Sequence, residues 1–403
     1  MGLLMLLGLV IIYAIGPQRA NVLNNAYGSD YSDTYFFIKQ ATSLLAALGS
    51  FVIASFLPIK LFAKYAKAIF IFSLGLCLLL AFADLANLEI AKSTLGATRW
   101  FNLGILGSFQ PSEVLKFGLL IFLSMFLGGK IRDGKLNDVK ETLIPTGIFY
   151  GISMLFIVVI QNDLGTGLAL TGLVMAMLVI GKINFRNFIK ITAILLALGV
   201  SMIMIAPHRM ERIITFIQGD NSATRIDSQS DNYHVEHAKL AIGSGGLFGV
   251  GIGNSIQATG YLPEAINDSV FAIIGETFGF VGLVVILSLF SALLIRLLKV
   301  MDHLEDIRIK LFVAGVFGWI SVHVILNIAS MTGLVPLTGI TLPLLSFGGT
   351  SLLLISIILG LVFQLSRYTV YSSNLKEVPH ENISSRRGIG RSRNSNNSSF
   401  RRN

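Results

Sequence analysis

The sequence predicts an all-α polytopic membrane protein of about ten transmembrane helices, with one large extracytoplasmic loop between helices 7 and 8. Three observations carry this. Hydrophobic residues make up 53% of the 403 residues and charged ones only 13%, roughly half the charge that a wetted globular surface carries. Mean hydropathy is +0.74. The apolar residues also come in long runs and not in short alternating stretches, which argues against a transmembrane barrel.

A span needs about 20 predominantly apolar residues. Ten segments qualify, at roughly 2–16, 38–57, 66–86, 114–129, 143–160, 165–181, 188–206, 270–295, 310–331 and 343–365. The first lacks a basic n-region and an A-x-A site, so it reads as a membrane helix and not as a cleaved signal. It begins abruptly at Met1, which leaves the true start of the chain open. The fourth to sixth are short, which predicts tilted helices or helices that continue into buried polar stretches. The single cysteine, Cys77, lies inside an apolar run, so there is no internal disulfide framework.

Ten spans place both termini on one side. Loops on that side hold Lys60, Lys64 and Lys67; Lys130, Arg132, Lys135 and Lys140; Lys182, Arg186 and Lys190; and Arg296, Lys299, Arg308 and Lys310. With the basic C-terminal tail they account for most of the 31 Lys and Arg residues. The positive-inside rule therefore makes the termini cytoplasmic. The net charge of +9 is explained by these loops, and no nucleic-acid partner is expected. Residues 1–368 read as one membrane domain carrying an extracytoplasmic loop at 207–269, and residues 369–403 as a basic cytoplasmic tail. From Ser384 to Asn403 the tail is rich in Ser, Asn and Arg with almost no apolar residue, the composition of a disordered segment. Attraction to anionic lipid is its simplest use, and docking of a cytoplasmic partner the second. The loop and a second outward segment, Asp84 to Glu113, are both long enough to fold back as amphipathic or re-entrant elements.

Ionisable groups at membrane depth are costly, so they mark candidate sites. Glu113 and Lys116, in Gln110-Pro-Ser-Glu-Val-Leu-Lys116, are three apart and share a helix face, where they can pair. Ser112 is a candidate N-cap. Asp163, in a tight outward turn, reads from spacing alone as a turn and cap residue. Asp268 precedes the eighth span, where capping is again the simple reading; Glu264 lies four residues earlier and Glu276 about two turns into the span. These three carboxylates, flanked by Arg209, Arg212 and Lys239, suggest a site for a polar or anionic substrate. The stretch Gly339 to Ser351, containing Ser346, Gly348 and Gly349, opens the last span; its glycines suit helix packing, or an anionic head group at a helix start. No Cys/His cluster, Walker loop or Ser-His-Asp arrangement occurs, and the spacing of His234 and His237 makes a zinc site unlikely.

Several ordered motifs resemble one family over most of the chain: Gly96-x-x-Arg99-Trp100, Gln110-Pro-Ser-Glu-x-x-Lys116, Asp163-Leu-Gly-Thr166, Gly249-x-Gly-x-Gly-Asn254-Ser, Leu262-Pro-Glu-Ala, Asp268, Phe271-Ala-Ile-Ile-Gly-Glu276 and Thr341-Leu-Pro-Leu-Leu-Ser-Phe-Gly-Gly349. As a set these are similar to the SEDS family of polytopic membrane proteins, from about Gly75 to Arg367. Leu-Pro-Glu-Ala and Thr-Leu-Pro-Leu resemble the division branch more than the elongation branch. Two motifs depart from the family pattern. The usual Gln-Pro-Asp is Gln161-Asn162-Asp163, and the usual His-Thr-Asp-Phe is Ile266-Asn267-Asp268-Ser269.

The resemblance implies a peptidoglycan glycosyltransferase that polymerises lipid II outside the cytoplasmic membrane, with Asp268 as the catalytic residue. It implies a class B penicillin-binding protein as partner, together with other division or elongation proteins, and a place at the division septum. Arg99, Glu113, Lys116, Asp163, Glu264, Glu276, Ser346, Gly348 and Gly349 are expected at the substrate cavity. Arg209, Arg212 and Lys239 are expected near the pyrophosphate, with a divalent cation (Mg²⁺ or Mn²⁺) shared with the substrate as a further option and no tightly bound cofactor. Two other function classes compete: a lipid II flippase or other transporter, and a non-catalytic division scaffold. A transporter should present polar groups through the full membrane depth, whereas here they cluster at the outer mouth, with His323 and Asn327 the main polar residues farther along a span.

Overall fold

A computed structural model describes residues 1–91, 98–104, 107–205, 210 and 231–376. Arg209, Arg212 and the expected disordered tail from residue 377 onward lie outside the described residues, while residues 369–376 of that tail instead continue the last helix.

Each of the ten predicted segments is helical. They are α1 (Gly2–Tyr27), α2 (Tyr35–Phe56), α3 (Ile59–Leu85), α4 (Pro111–Arg132), α5 (Ile144–Met154), α6 (Leu164–Ile180), α7 (Phe185–Ile205), α9 (Val270–Asp302), α10 (Ile307–Met331) and α11 (Gly349–Lys376). A further helix, α8 (Asp231–Ser244), lies in the large loop. Short π-helical turns flank α5 and extend it to Val139–Ile160. Among the described residues, eight helices are long and apolar enough to cross a membrane, so the chain is a multi-pass membrane protein.

Of the three segments that read as short, two continue into polar stretches as expected, and one boundary elsewhere is corrected. The fourth and fifth segments are full spans of 22 residues each, because the helix continues into the polar residues at their ends, those at the start of the fourth being buried. The sixth stays short at 17 residues, about 26 Å at 1.5 Å per residue. The last helix begins at Gly349 and not near residue 343: Leu342 and Ser346 close a turn on each other, Leu342 N donating to Ser346 Oγ at 2.8 Å, and this holds the preceding chain off the helix axis.

The bundle is built around α10, the most buried of the spanning helices. It packs on α4, α6 and α9, while α2 packs on α11 and α3 on α4. The approach of α6 to α10 depends on small residues, since a Cβ on Gly318 would fall 2.4 Å from the Gly172 carbonyl oxygen. The segment expected to fold back after α3 does so as a hairpin, β1 (Phe101–Asn102) and β2 (Ser108–Phe109), antiparallel with Phe101 opposite Phe109. Thr350 of α11 donates to Ser108 O at 3.0 Å and ties the hairpin over the end of the bundle.

Candidate active site

A cavity of about 100 Å³ opens under this hairpin, at the end of the bundle opposite the Lys- and Arg-rich loops. That is room for several waters. Its wall comes from four places: Arg99 and Trp100, Gln110 and Glu113 at the start of α4, Asp163 and Thr166 at the start of α6, and the stretch from Gly339 to Leu352 with His323 of α10 behind it.

The α4 side is set by helix period. Glu113 and Lys116 are one turn apart, and Lys116 Nζ lies 2.6 Å from Glu113 Oε1. Lys116 is wholly buried, 3.3 Å from His323 Nε2 and 4.5 Å from the centroid of the Trp319 ring. An ammonium only donates, so His323 Nε2 accepts here and its Nδ1–H faces Thr341 O at 3.3 Å. Glu113 Oε2 has no hydrogen-bond partner among the described residues. Ser112 is not the N-cap expected of it. Gln110 holds that position and Pro111 begins the helix, while Ser112 is fully buried.

Asp163 is both cap and cavity wall. Its carboxylate accepts from Thr166 N at 2.9 Å, Thr166 Oγ1 at 2.7 Å and Gln110 Nε2 at 3.2 Å. Arg99 reaches the same turn by donating from Nε to Gln161 O and from Nη2 to Asn162 O, at 3.2 and 2.7 Å. Two of its five N–H donors are used this way, which leaves others for a ligand.

Asp268 sits just outside the wall and does not line it. Its Oδ2 lies 3.8 Å from where a Cβ on Gly339 would be, and the residue is 9% exposed. The N-cap of α9 is Ser269 and not Asp268, so the capping reading of Asp268 is corrected. Ser269 Oγ donates to Pro263 O at 2.9 Å and contacts His234 Nε2 at 2.5 Å. Asn327 Nδ2 donates at 2.7 Å to both Asp268 O and Ile340 O, which joins the segment before α9 to the cavity wall.

The other expected residues are elsewhere. Glu276 is buried away from the cavity, and its carboxylate accepts from Ser255 Oγ at 2.5 Å, Ile256 N at 2.9 Å and Gln257 N at 3.2 Å. It fastens the loop to α9, because a carboxylate at that depth must be satisfied locally. Glu264 is half exposed and lies 3.8 Å from Arg19 of α1. Lys239 is exposed on α8, its ammonium lying across Gly333. Ser346 and Gly348 do line the cavity, Ser346 having its oxygen committed to the turn; Gly349 instead begins α11 facing Ser43.

Residues 1–371 match the FtsW/RodA/SpoVE family, described as cell cycle protein. The chain belongs to this family. Among its relatives, stage V sporulation protein E of Bacillus subtilis is 32% identical over 377 residues, covering 92% of this chain and 95% of the relative. A probable peptidoglycan glycosyltransferase FtsW of Polynucleobacter necessarius is 32% identical over 374 residues, covering 90% and 83%. Among solved structures, one describing the structural coordination of polymerization and crosslinking by a peptidoglycan synthase complex matches with a TM-score of 0.67 at 25% identity, covering 89% of this chain and 97% of that one. The rod shape determining protein RodA of Thermus thermophilus matches with a TM-score of 0.59 at 26% identity, covering 89% and 96%.

Within this family fold, His323, Gln110 and Thr341 are the cavity residues that motif reading left without a role. His323 and Asn327 did carry a signal: two polar side chains four apart in a mostly apolar helix lie on one face, and a buried face with such groups must find partners.

Proposed function

We propose that this protein is a peptidoglycan glycosyltransferase that polymerises lipid II at the outer face of the bacterial cytoplasmic membrane. It works in cell division beside a class B penicillin-binding protein, with both termini cytoplasmic. The names of its relatives support the activity, and the Lys- and Arg-rich loops support the orientation. The observation that carries the mechanism is a buried carboxylate, Asp268, beside the wall of a polar cavity, its own main chain fixed by Asn327.

In this reading Asp268 is the general base. It takes the proton from the acceptor's sugar hydroxyl as that oxygen bonds to the donor's anomeric carbon. The bond from that carbon to the pyrophosphate oxygen breaks, and undecaprenyl diphosphate leaves with the electron pair. A diphosphate needs no acid to leave, so one carboxylate suffices for direct attack with inversion. Arg99 offers its remaining donors to the departing charge. The Glu113–Lys116–His323 group is neutralised within itself and shapes the cavity floor.

The described residues do not build a resident metal site. No three His, Cys, Asp or Glu side chains converge, and both oxygens of Asp163 are already committed. An Mg²⁺ or Mn²⁺ ion would therefore arrive on the substrate's phosphates. With such an ion EDTA lowers the polymerisation rate and added Mg²⁺ or Mn²⁺ restores it; a rate unchanged by EDTA leaves side chains as the only counter-charge.

The deciding experiment gives lipid II to the purified full chain, with and without its transpeptidase partner, and resolves the products by gel. Glycan polymer is expected. Lipid II moved between leaflets without polymer would make the protein a transporter, and binding of the partner with neither would make it a scaffold.

A further inference from the structure

Helix α9 is broken at Gly279, where φ is 66° and ψ is −165°, about 14 Å along the axis from its start. A break in a spanning helix strands main-chain donors and acceptors, which lipid cannot satisfy. Here another part of the chain supplies partners on both sides of the break. Phe280 N donates to Gly246 O at 2.9 Å and Val281 N to Leu247 O at 3.1 Å, while Val250 N and Gly251 N donate to Glu276 O and Thr277 O at 2.9 and 3.1 Å. The fit is close: a Cβ on Gly279 would fall 2.4 Å from Gly249 N.

The same loop turns its apolar side chains outward. Leu247 is 65% exposed, Phe248 81%, Ile252 53% and Ile256 63%. They continue the surface of Phe280 and Val281, themselves exposed on a helix long and apolar enough to cross a membrane. From Leu240 to Pro263 the sequence contains no Asp, Glu, Lys, Arg or His. The carboxylate that the loop contacts, Glu276, is buried and satisfied by the loop itself. A water-facing loop has no need of paired main chain and uncharged, outward apolar side chains together; a loop in hydrocarbon needs both.

We propose that residues 245–256 form a re-entrant loop seated in the bilayer at the cavity end of the bundle, with Leu247, Phe248, Ile252 and Ile256 among the acyl chains. The loop closes the gap in α9 on its inner side and meets lipid on its outer side. Part of the polar segment between α7 and α9 is thereby membrane-embedded. The proposal stands apart from the chemistry assigned to Asp268.

The test is spin-label depth measurement on the full chain in phospholipid vesicles. Cys77, the lone cysteine and buried, is replaced by Ala, and labels are placed at Phe248→Cys and, separately, Ile252→Cys. Phe280→Cys serves as the lipid-facing reference and Lys135→Cys as the water-facing one. Both loop positions should collide with oxygen far more than with a water-soluble nickel chelate, matching the Phe280→Cys pattern. Nickel accessibility like that of Lys135→Cys at either position overturns the proposal. So does protection from both reagents, which would mean that a second copy or another protein covers the loop.

Discussion

Asn327 holds Asp268 by its main chain, donating at 2.7 Å to the Asp268 carbonyl oxygen and at 2.7 Å to that of Ile340. One buried amide thus joins the segment carrying the proposed base to the cavity wall. Asn327→Leu strands both acceptors away from water, at about 1–3 kcal/mol for each. The expected outcome is a lower unfolding temperature and a polymerisation rate that falls chiefly in kcat, because the base is displaced while substrate groups bound at Arg99 are not. Thermal unfolding and saturation kinetics check it; an unchanged kcat would remove Asn327 from the positioning of Asp268.

Asp268→Asn is expected to lower polymerisation by about 10²–10⁴-fold, the range of a general base, with unfolding temperature and partner binding preserved. The reason is local. Ser269 is the N-cap of α9 and the Asn327 bond uses the main chain of residue 268, so the substitution leaves both in place. Activity lost together with stability would give Asp268 a structural role, and normal activity would remove it from the mechanism.

The buried pair on α4 should behave as a unit. Lys116→Met leaves Glu113 charged and dry, and breaking such a pair on one side typically costs about 3–5 kcal/mol. Glu113→Gln combined with Lys116→Met should cost less than the two single changes together. A double-mutant cycle on stability showing additive effects would reject the coupling.

At the opposite end of the bundle, Asp306 caps α10 and accepts from Arg308 N at 3.0 Å and Arg308 Nη2 at 3.1 Å, with Arg132 Nη2 also 3.1 Å away. Burial pushes its carboxyl up, but the hydrogen bonds and charge of Arg308, helped by Arg132, outweigh that and hold it below its ordinary 3.8. A depressed pKa means stability that is present above the ordinary value and lost as pH falls through the folded one. The unfolding temperature should therefore exceed that of Asp306→Asn by a constant margin at neutral pH. The margin should shrink below about pH 4. A margin independent of pH would show that the carboxylate's charge contributes nothing.

The membrane class, the ten helical segments and the Glu113–Lys116 pair were legible in the sequence, because each rests on local rules. Twenty apolar residues span a bilayer wherever they occur, and two residues three apart share a helix face whatever surrounds the helix. Which outer carboxylates share a cavity was not legible. Asp163 meets Gln110 across 53 positions, Lys116 meets His323 across 207, and the Asp268 main chain meets Asn327 across 59. Glu276 looked like a site residue by its depth alone, yet it is consumed by loop amides 19 and 20 positions upstream. The same holds for the loop from Leu247 to Ile256: composition made it apolar, but only its pairing with the break at Gly279 puts it beside the spanning surface of α9. Helix period and hydropathy act within a segment. Convergence depends on which faces pack together, and that is decided when buried polar groups on distant segments must satisfy one another.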